Sequence, residues 1–280
     1  MTDGAGRHAG KVALVTGGSQ GIGRGVAVTL ARHGSAVVVH GLTSDFVRET
    51  VALICDAGGR AVGIAGAIQD EGTSREAVNL AITEYGRLDT LVTAAGVQRY
   101  GDVVSTTPEV WNEVFEVNVR GVYFAAHHSL PAIREAKGTV TIISSVQGVA
   151  NQNQVAAYAA SKGALNALAR GMAVDEAAFG VRVNALLPGS IDTPMLRDSA
   201  TRFSNGSQEE QDAVIAHWGT SHPLGRVGMP TEIGEVVSFL ASQAASFITG
   251  AEIRVDGGLL SRIATPLSTA DIWRDPGATR

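Results

Sequence analysis

Val12-Ala-Leu-Val-Thr16 is a short apolar run, and Gly17-Gly-Ser-Gln-Gly21-Ile-Gly23 follows it with no spacer. A helical run then continues to about residue 33. Few folds allow a strand to pass through a glycine-rich turn directly into a helix. The turn is tight, and its small residues leave backbone N–H groups open to a close ligand. The helix N-terminus favours negative charge, so the arrangement suits a pyrophosphate. Gly17, Ser19, Gln20, Gly21, Ile22 and Gly23 are the first candidate binding residues.

The pattern repeats along the chain. Strand patterns at 36–40, 60–65, 88–93, 139–143, 181–187 and 252–256 alternate with helical patterns at 46–57, 74–85, 108–134, 155–179 and 230–240. Such alternation predicts an α/β fold: a doubly wound parallel sheet, Rossmann-like and three-layered, in a single domain. No internal repeat or linker divides it. Residues 1–10 read as a flexible lead-in, 11–260 as the domain and 261–280 as a tail. The polar, irregular stretch 193–228 reads as a lid over a site.

Composition narrows the function classes. A formal charge of -5 gives no general pull toward nucleic acid or anionic lipid. No apolar run reaches the roughly 18 residues that span a bilayer, and the N-terminus lacks a signal peptide's apolar segment. Cys55 is the only cysteine, which rules out an internal disulfide or a cysteine-based metal cluster. Adjacent His127 and His128 read as helix residues, and no metal site is expected. These features suggest a soluble, cytoplasmic protein.

Tyr158 and Lys162 are four apart on a predicted helix and share a face. An ammonium beside a phenol favours the phenolate and pulls its pKa down from about 10, as a general acid/base requires. Ser145 follows the β-branched run 139–143, at the end of a strand where open α/β sheets place ligands. Its hydroxyl can hold a substrate oxygen.

The ordered set Thr16-Gly-Gly-Ser-Gln-Gly-Ile-Gly23, Ala95-Gly96, Asn118, Ser145, Tyr158-Ala-Ala-Ser-Lys162, Pro188-Gly-Ser-Ile-Asp-Thr193 and Val255-Asp-Gly-Gly258 resembles the short-chain dehydrogenase/reductase family from about 11 to 260. The resemblance implies an NAD(P)-dependent oxidoreductase moving hydride between nicotinamide and a secondary alcohol or ketone. It implies that Tyr158 exchanges the proton and that Ser145 polarises the substrate oxygen. Lys162 tunes Tyr158 and bonds the nicotinamide ribose, and Asn118 anchors a water. Ala95 and Gly96 line the cofactor cleft, and Pro188, Gly189, Ile191 and Thr193 hold the carboxamide. It also implies a homotetramer, consistent with the helix at 108–134 being apolar nearly all round. A catalytically silent nucleotide-binding relative has no need for all four of Asn118, Ser145, Tyr158 and Lys162. Sugar-nucleotide dehydratases usually carry a larger C-terminal domain.

Three positions depart from the family. Gly66-Ala67-Ile68 stands where an adenine-facing aspartate is common, Thr93-Ala-Ala-Gly96 replaces Asn-Asn-Ala-Gly, and Gln20 is not basic. After the second strand, His40-Gly-Leu-Thr43-Ser44 lacks the ribose-gripping acid, and the Thr43 and Ser44 hydroxyls can bond a 2′-phosphate. NADP is therefore expected, with NAD possible; Asp at Gly41 is expected to turn the preference toward NAD. Gln147, Asn151, Gln152, Asn153 and Gln154 follow Ser145, with Gln98 and Arg99 nearby. These groups suggest a small hydroxylated substrate, with Gln147 and Gln152 touching it. Phe203, His217 and Trp218 leave an apolar cyclic ketone as the alternative.

Overall fold

The computed structural model describes residues 6–263. Seven strands form one sheet in the order β3-β2-β1-β4-β5-β6-β7. They are β1 (Val12–Thr16), β2 (Ala36–Gly41), β3 (Arg60–Ala65), β4 (Thr90–Thr93), β5 (Thr139–Ile143), β6 (Arg182–Pro188) and β7 (Glu252–Val255). Every pairing is parallel. The strand order reverses between β1 and β4, which opens a crevice at their C-terminal ends.

Both faces of the sheet are covered, so its central strands are continuous apolar runs rather than alternating ones. β1, β4 and β5 are buried at every position. One core layer packs α1 (Gly21–Arg32), α2 (Ser44–Asp56) and α9 (Pro230–Ala241) on the sheet through Val26, Leu30, Ile54, Ile233 and Leu240. The other packs α3 (Glu71–Tyr85), α5 (Gly121–Ala136) and α6 (Ala156–Glu176) through Ala77, Ala81, Val122, Leu165 and Ala169.

Three expectations change. The helix predicted at 108–134 is α4 (Pro108–Phe115), a π turn at Glu116–Arg120 and α5 in series. Hydropathy does not distinguish a wide turn from an α turn. The stretch 193–228 is not irregular: it holds α7 (Pro194–Thr201) and α8 (Gln208–Gly219), capped by Thr193 and Ser207. Their apolar faces are too short to give a periodic signal. Residues 6–10 are also no loose lead-in. His8 is 3% exposed, and its Nε2 lies 2.9 Å from Ser238 Oγ on α9. Residues 1–5 and the expected tail from 264 to 280 lie outside the described residues.

Candidate active site

The glycine turn is shaped by contacts that allow no side chain. Gly17 and Gly21 have φ of 65° and 51°. A Cβ on Gly17 would fall 2.5 Å from Ala95 N, and one on Gly23 would fall 2.1 Å from Gly17 O. Gln20, at the N-cap of α1, makes no side-chain cap bond, and the first turn carries no acid. The N–H groups of α1 therefore face the crevice without a competing carboxylate, which fits a dinucleotide's phosphates. The loop after β6 faces this turn, since a Cβ on Gly21 would meet Thr193 at 3.3 Å.

His40 ties the turn to the loop after β3. Gly17 N–H donates to its Nδ1 at 3.3 Å, so Nε2 carries the proton and donates to Gly66 O at 3.0 Å. Burial lowers the His40 pKa, so the ring stays neutral. An imidazole thus holds the loop after β3 to the glycine turn. The Ile68 side chain lies in the core against Gly121, leaving only its backbone to offer a cofactor. Thr43 and Ser44 are exposed at the start of α2, and the Thr43 hydroxyl makes no cap bond. Gly41 is too crowded for the substitution expected above: a Cβ there would sit 2.3 Å from Ser19 Oγ and 2.5 Å from Ser19 Cβ.

The π turn carries Asn118 at 0% exposure. Its Oδ1 accepts from Val97 N–H at 2.8 Å, and its Nδ2 donates to Val97 O at 2.9 Å and Ser161 Oγ at 3.0 Å. It clamps the loop after β4 to α6. A Cβ on Gly96 would come within 3.3 Å of Asn118 Oδ1 and 3.7 Å of Lys162 Nζ, so Gly96 keeps that space open. The neighbouring departure at Thr93 leaves its buried Oγ1 without a partner.

Ser145, Tyr158 and Lys162 meet at the floor of the crevice, each under 10% exposed. The Lys162 Nζ donates to Ile143 O at 3.0 Å and sits 5.4 Å from the Tyr158 ring centroid. The expected depression of the tyrosine pKa is absent here. Burial pushes Tyr158 up to about 12, Ser145 draws it partly back and Tyr100 adds to the rise. Burial pushes Lys162 down to about 8. Desolvation outweighs attraction because the ammonium bonds a carbonyl rather than the phenol oxygen. In this state the phenol holds its proton.

A cleft of ≈ 720 Å³ opens above this floor. Gln98, Gln147 and the amides 151–154 line it, and across from them stand Met195, Phe203 and Trp218 of the lid. The Gln147 Oε1 is buried without a partner, whereas 151–154 are exposed at the rim. Gly101 N–H donates to Gln154 O at 2.8 Å, pinning the rim. Arg99 is turned away from the cleft to Glu113 on α4. Tyr100, His222, Leu259 and Leu260 also line the cleft and were not singled out from sequence. Nothing local marks His222 among seven histidines.

The family described as enoyl-(acyl carrier protein) reductase matches residues 17–260. Cyclopentanol dehydrogenase of Comamonas testosteroni is 37% identical over 256 residues, covering 90% of this chain and 98% of that protein. L-fucose dehydrogenase of Rattus norvegicus is 35% identical over 265 residues, covering 90% of each. The ligand-free aldohexose dehydrogenase of Thermoplasma acidophilum superposes with a TM-score of 0.84 at 32% identity, covering 95% of this chain and 99% of that one. The sheet order, the glycine turn and these relatives agree: the chain belongs to the short-chain dehydrogenase/reductase family and is an oxidoreductase acting on CH–OH groups with a nicotinamide cofactor.

Proposed function

We propose that this enzyme interconverts a small hydroxylated secondary alcohol, of the polyol or sugar class, and its ketone or lactone, with a preference for NADP. The carrying observation is the meeting of Ser145, Tyr158 and Lys162 on one buried floor beside the glycine turn, under a rim of amides. The bound nicotinamide supplies or accepts the hydride. The protein's own residues place and protonate the oxygen. Ser145 Oγ holds the substrate oxygen by a hydrogen bond. Tyr158 gives that oxygen its proton in reduction and takes it back in oxidation. Lys162 would hold the nicotinamide ribose, and its ammonium turned toward the cleft would favour the phenolate and lower the Tyr158 pKa from the ligand-free value. Asn118 keeps the loop after β4 and α6 in register and orders a water beside Lys162. The glycine turn and α1 take the pyrophosphate, and Thr43 with Ser44 takes the 2′-phosphate. Ala67 and the Ile68 backbone face the adenine, Ala95 and Gly96 form the cleft floor, and Pro188 to Thr193 receives the carboxamide.

Gln147, partly exposed in the cleft, supports a hydroxylated substrate, because its amide can donate to and accept from a hydroxyl. The names of the fucose and aldohexose relatives point the same way. A cyclic alcohol is the second reading, favoured by Phe203, Trp218, Leu259 and Leu260 in the same cleft and by the cyclopentanol relative. The test is kcat/KM over polyols, aldoses, cyclic alcohols and steroids with each cofactor. Polyols or aldoses are expected to lead. An apolar ketone ahead by about a hundredfold refutes the polar reading, since each unpaired amide costs about 1–3 kcal/mol. A preference for NAD above about tenfold refutes the cofactor assignment. Leu42, 73% exposed, replaces Gly41 as the place for an introduced Asp, which is expected to weaken NADP selectively.

We also propose a homotetramer working in the cytoplasm. Trp111, Tyr123, Val174 and Phe179 expose apolar surface on or beside α4, α5 and α6, and no described helix is long and apolar enough to cross a membrane. A monomer by light scattering at micromolar concentration would end the assembly proposal.

A further inference from the structure

His222 lies just beyond α8 and takes no part in the proton transfer above, yet it touches three walls of the cleft. It is 3% exposed. Its Nε2 accepts from Ser190 N–H at 3.2 Å, and its Nδ1 lies 3.2 Å from Trp218 O. A backbone N–H only donates and a carbonyl only accepts, so together they place the ring proton on Nδ1. The ring is wedged between two glycines. A Cβ on Gly189 would lie 2.9 Å from Nε2, and one on Gly257 would lie 3.3 Å from His222 Cβ. Backbone bonds surround the same junction: Leu224 N–H donates to Gly257 O at 3.2 Å, and Gly225 N–H donates to His222 O at 2.8 Å. One side chain therefore joins the end of the lid, the loop after β6 and the turn after β7.

Ser190 is held from both sides. Its N–H goes to His222, and its C=O accepts from Gly228 N–H at 2.9 Å, at the far root of the lid. We propose that His222 is a positioning residue whose neutral imidazole locks the Gly189–Ser190 backbone to the lid. Lid position and nicotinamide placement are then set by one junction. The inference rests on the reading of Pro188 to Thr193 as the carboxamide segment. Removing the ring leaves the part-buried Ser190 N–H unpaired and slack beside Gly189, at the nicotinamide end of the cleft only. The adenosine end is held separately, by His40.

The test compares His222→Leu, which lacks both polar atoms, with His222→Gln, which carries an acceptor and a donor on one planar group. In cofactor-free protein, hydrogen exchange across 188–193 is expected to speed about tenfold in His222→Leu, with 139–145 unchanged. In turnover, kcat is expected to fall about tenfold and the isotope effect from deuterated reduced cofactor to rise, because looser placement slows hydride transfer relative to release. Cofactor Kd is expected to move less than about threefold, since the phosphate and adenosine contacts persist. His222→Gln is expected to recover most of both losses. Should His222→Leu not fold, His222→Phe retains a packed ring without the polar atoms and is read in the same way. Wild-type exchange, kcat and isotope effect in the apolar variant would overturn the inference and leave the dehydrogenase reading standing. A wild-type protein that binds neither cofactor and turns over no alcohol or ketone would remove both.

Discussion

Lys162 on α6 and Arg197 on α7 are both basic side chains on elements that frame the cleft, and they are held in opposite ways. Lys162 is 5% exposed, has no carboxylate partner among the described residues and bonds a backbone carbonyl. Arg197 is partly exposed and grips Asp192 through two bonds, at 2.8 and 2.7 Å, with a third to Asp212 at 2.9 Å. The contrast extends to the elements around them. The floor is formed by strand ends, a π turn and α6, with polar groups fixed by short bonds to backbone. The stretch 193–228 is two short helices joined by one surface ion pair, Arg197–Asp212, with a second pair from Arg197 to Asp192 just before α7. Burial gives the floor a fixed geometry, which proton transfer needs, and pKa values set by desolvation while no cofactor is bound. Exposure leaves the ion pairs of 193–228 weak and reversible.

The largest effect is expected at the floor. Tyr158→Phe preserves the ring packing and removes the transferable proton, so turnover should fall by about 10²- to 10⁴-fold with cofactor binding retained. Turnover within about threefold of wild type, with cofactor bound normally, would remove Tyr158 from the chemistry.

Asn118→Leu tests whether the floor is fixed as described. It leaves Val97 N–H and Val97 O without their partner, while Ser161 Oγ keeps its bond to Tyr158 O. Each such loss costs about 1–3 kcal/mol, so the urea midpoint should drop by the equivalent of about 2 kcal/mol or more, and activity should fall with it. A stability loss below about 1 kcal/mol would show that the clamp is not structural.

Lys162 gives the floor a pH signature. Its folded pKa of about 8 lies below the unfolded 10.5, so between these values the unfolded chain binds more protons. Stability from this group therefore rises with pH across that window, by an amount on the order of 1–3 kcal/mol. Tyr158 acts with the opposite sign. Its folded pKa of about 12 lies above the unfolded 10.0, so it lowers stability only above about pH 10. Ligand-free wild type should gain stability relative to Lys162→Met between pH 8 and 10. Parallel stability–pH curves would show that Lys162 is not desolvated.

The same contrast explains what could be read from the chain. The sheet, the glycine turn and the set Ser145, Tyr158 and Lys162 follow local rules of period, turn chemistry and spacing, so they were visible in sequence. The π turn at Asn118 was not, because its residues also read as an unbroken helix. The Tyr158 pKa was judged from one neighbour, when burial by elements far apart in sequence dominates it. The lid helices were missed because α7 and α8 bury few residues and rely on caps and ion pairs. His222 was missed because its partners, Ser190 and Trp218, converge only in three dimensions.

The smallest effect is expected at the lid. In Arg197→Met the stem remains to pack, while the contacts to Asp192 and Asp212 are lost. The Arg197 side chain is 36% exposed and that of Asp212 55%, so solvent screens both pairs. The cost to global stability should stay below about 1 kcal/mol. Arg197 touches none of Ser145, Tyr158 and Lys162, and His222 still holds the Ser190 N–H, so kcat should fall far less than in Tyr158→Phe. The α7–α8 pair is no longer pre-ordered, and closing it must draw on substrate binding. KM for the alcohol should therefore rise about two- to fivefold, an effect of under 1 kcal/mol. Added salt should raise the wild-type KM toward that of the variant, because it screens the same exposed pairs. A variant that loses kcat as heavily as Tyr158→Phe would show that floor and lid are one mechanical unit. Unchanged KM at every salt concentration would show instead that α7 and α8 are ordered without Arg197, and that the lid is as rigid as the floor.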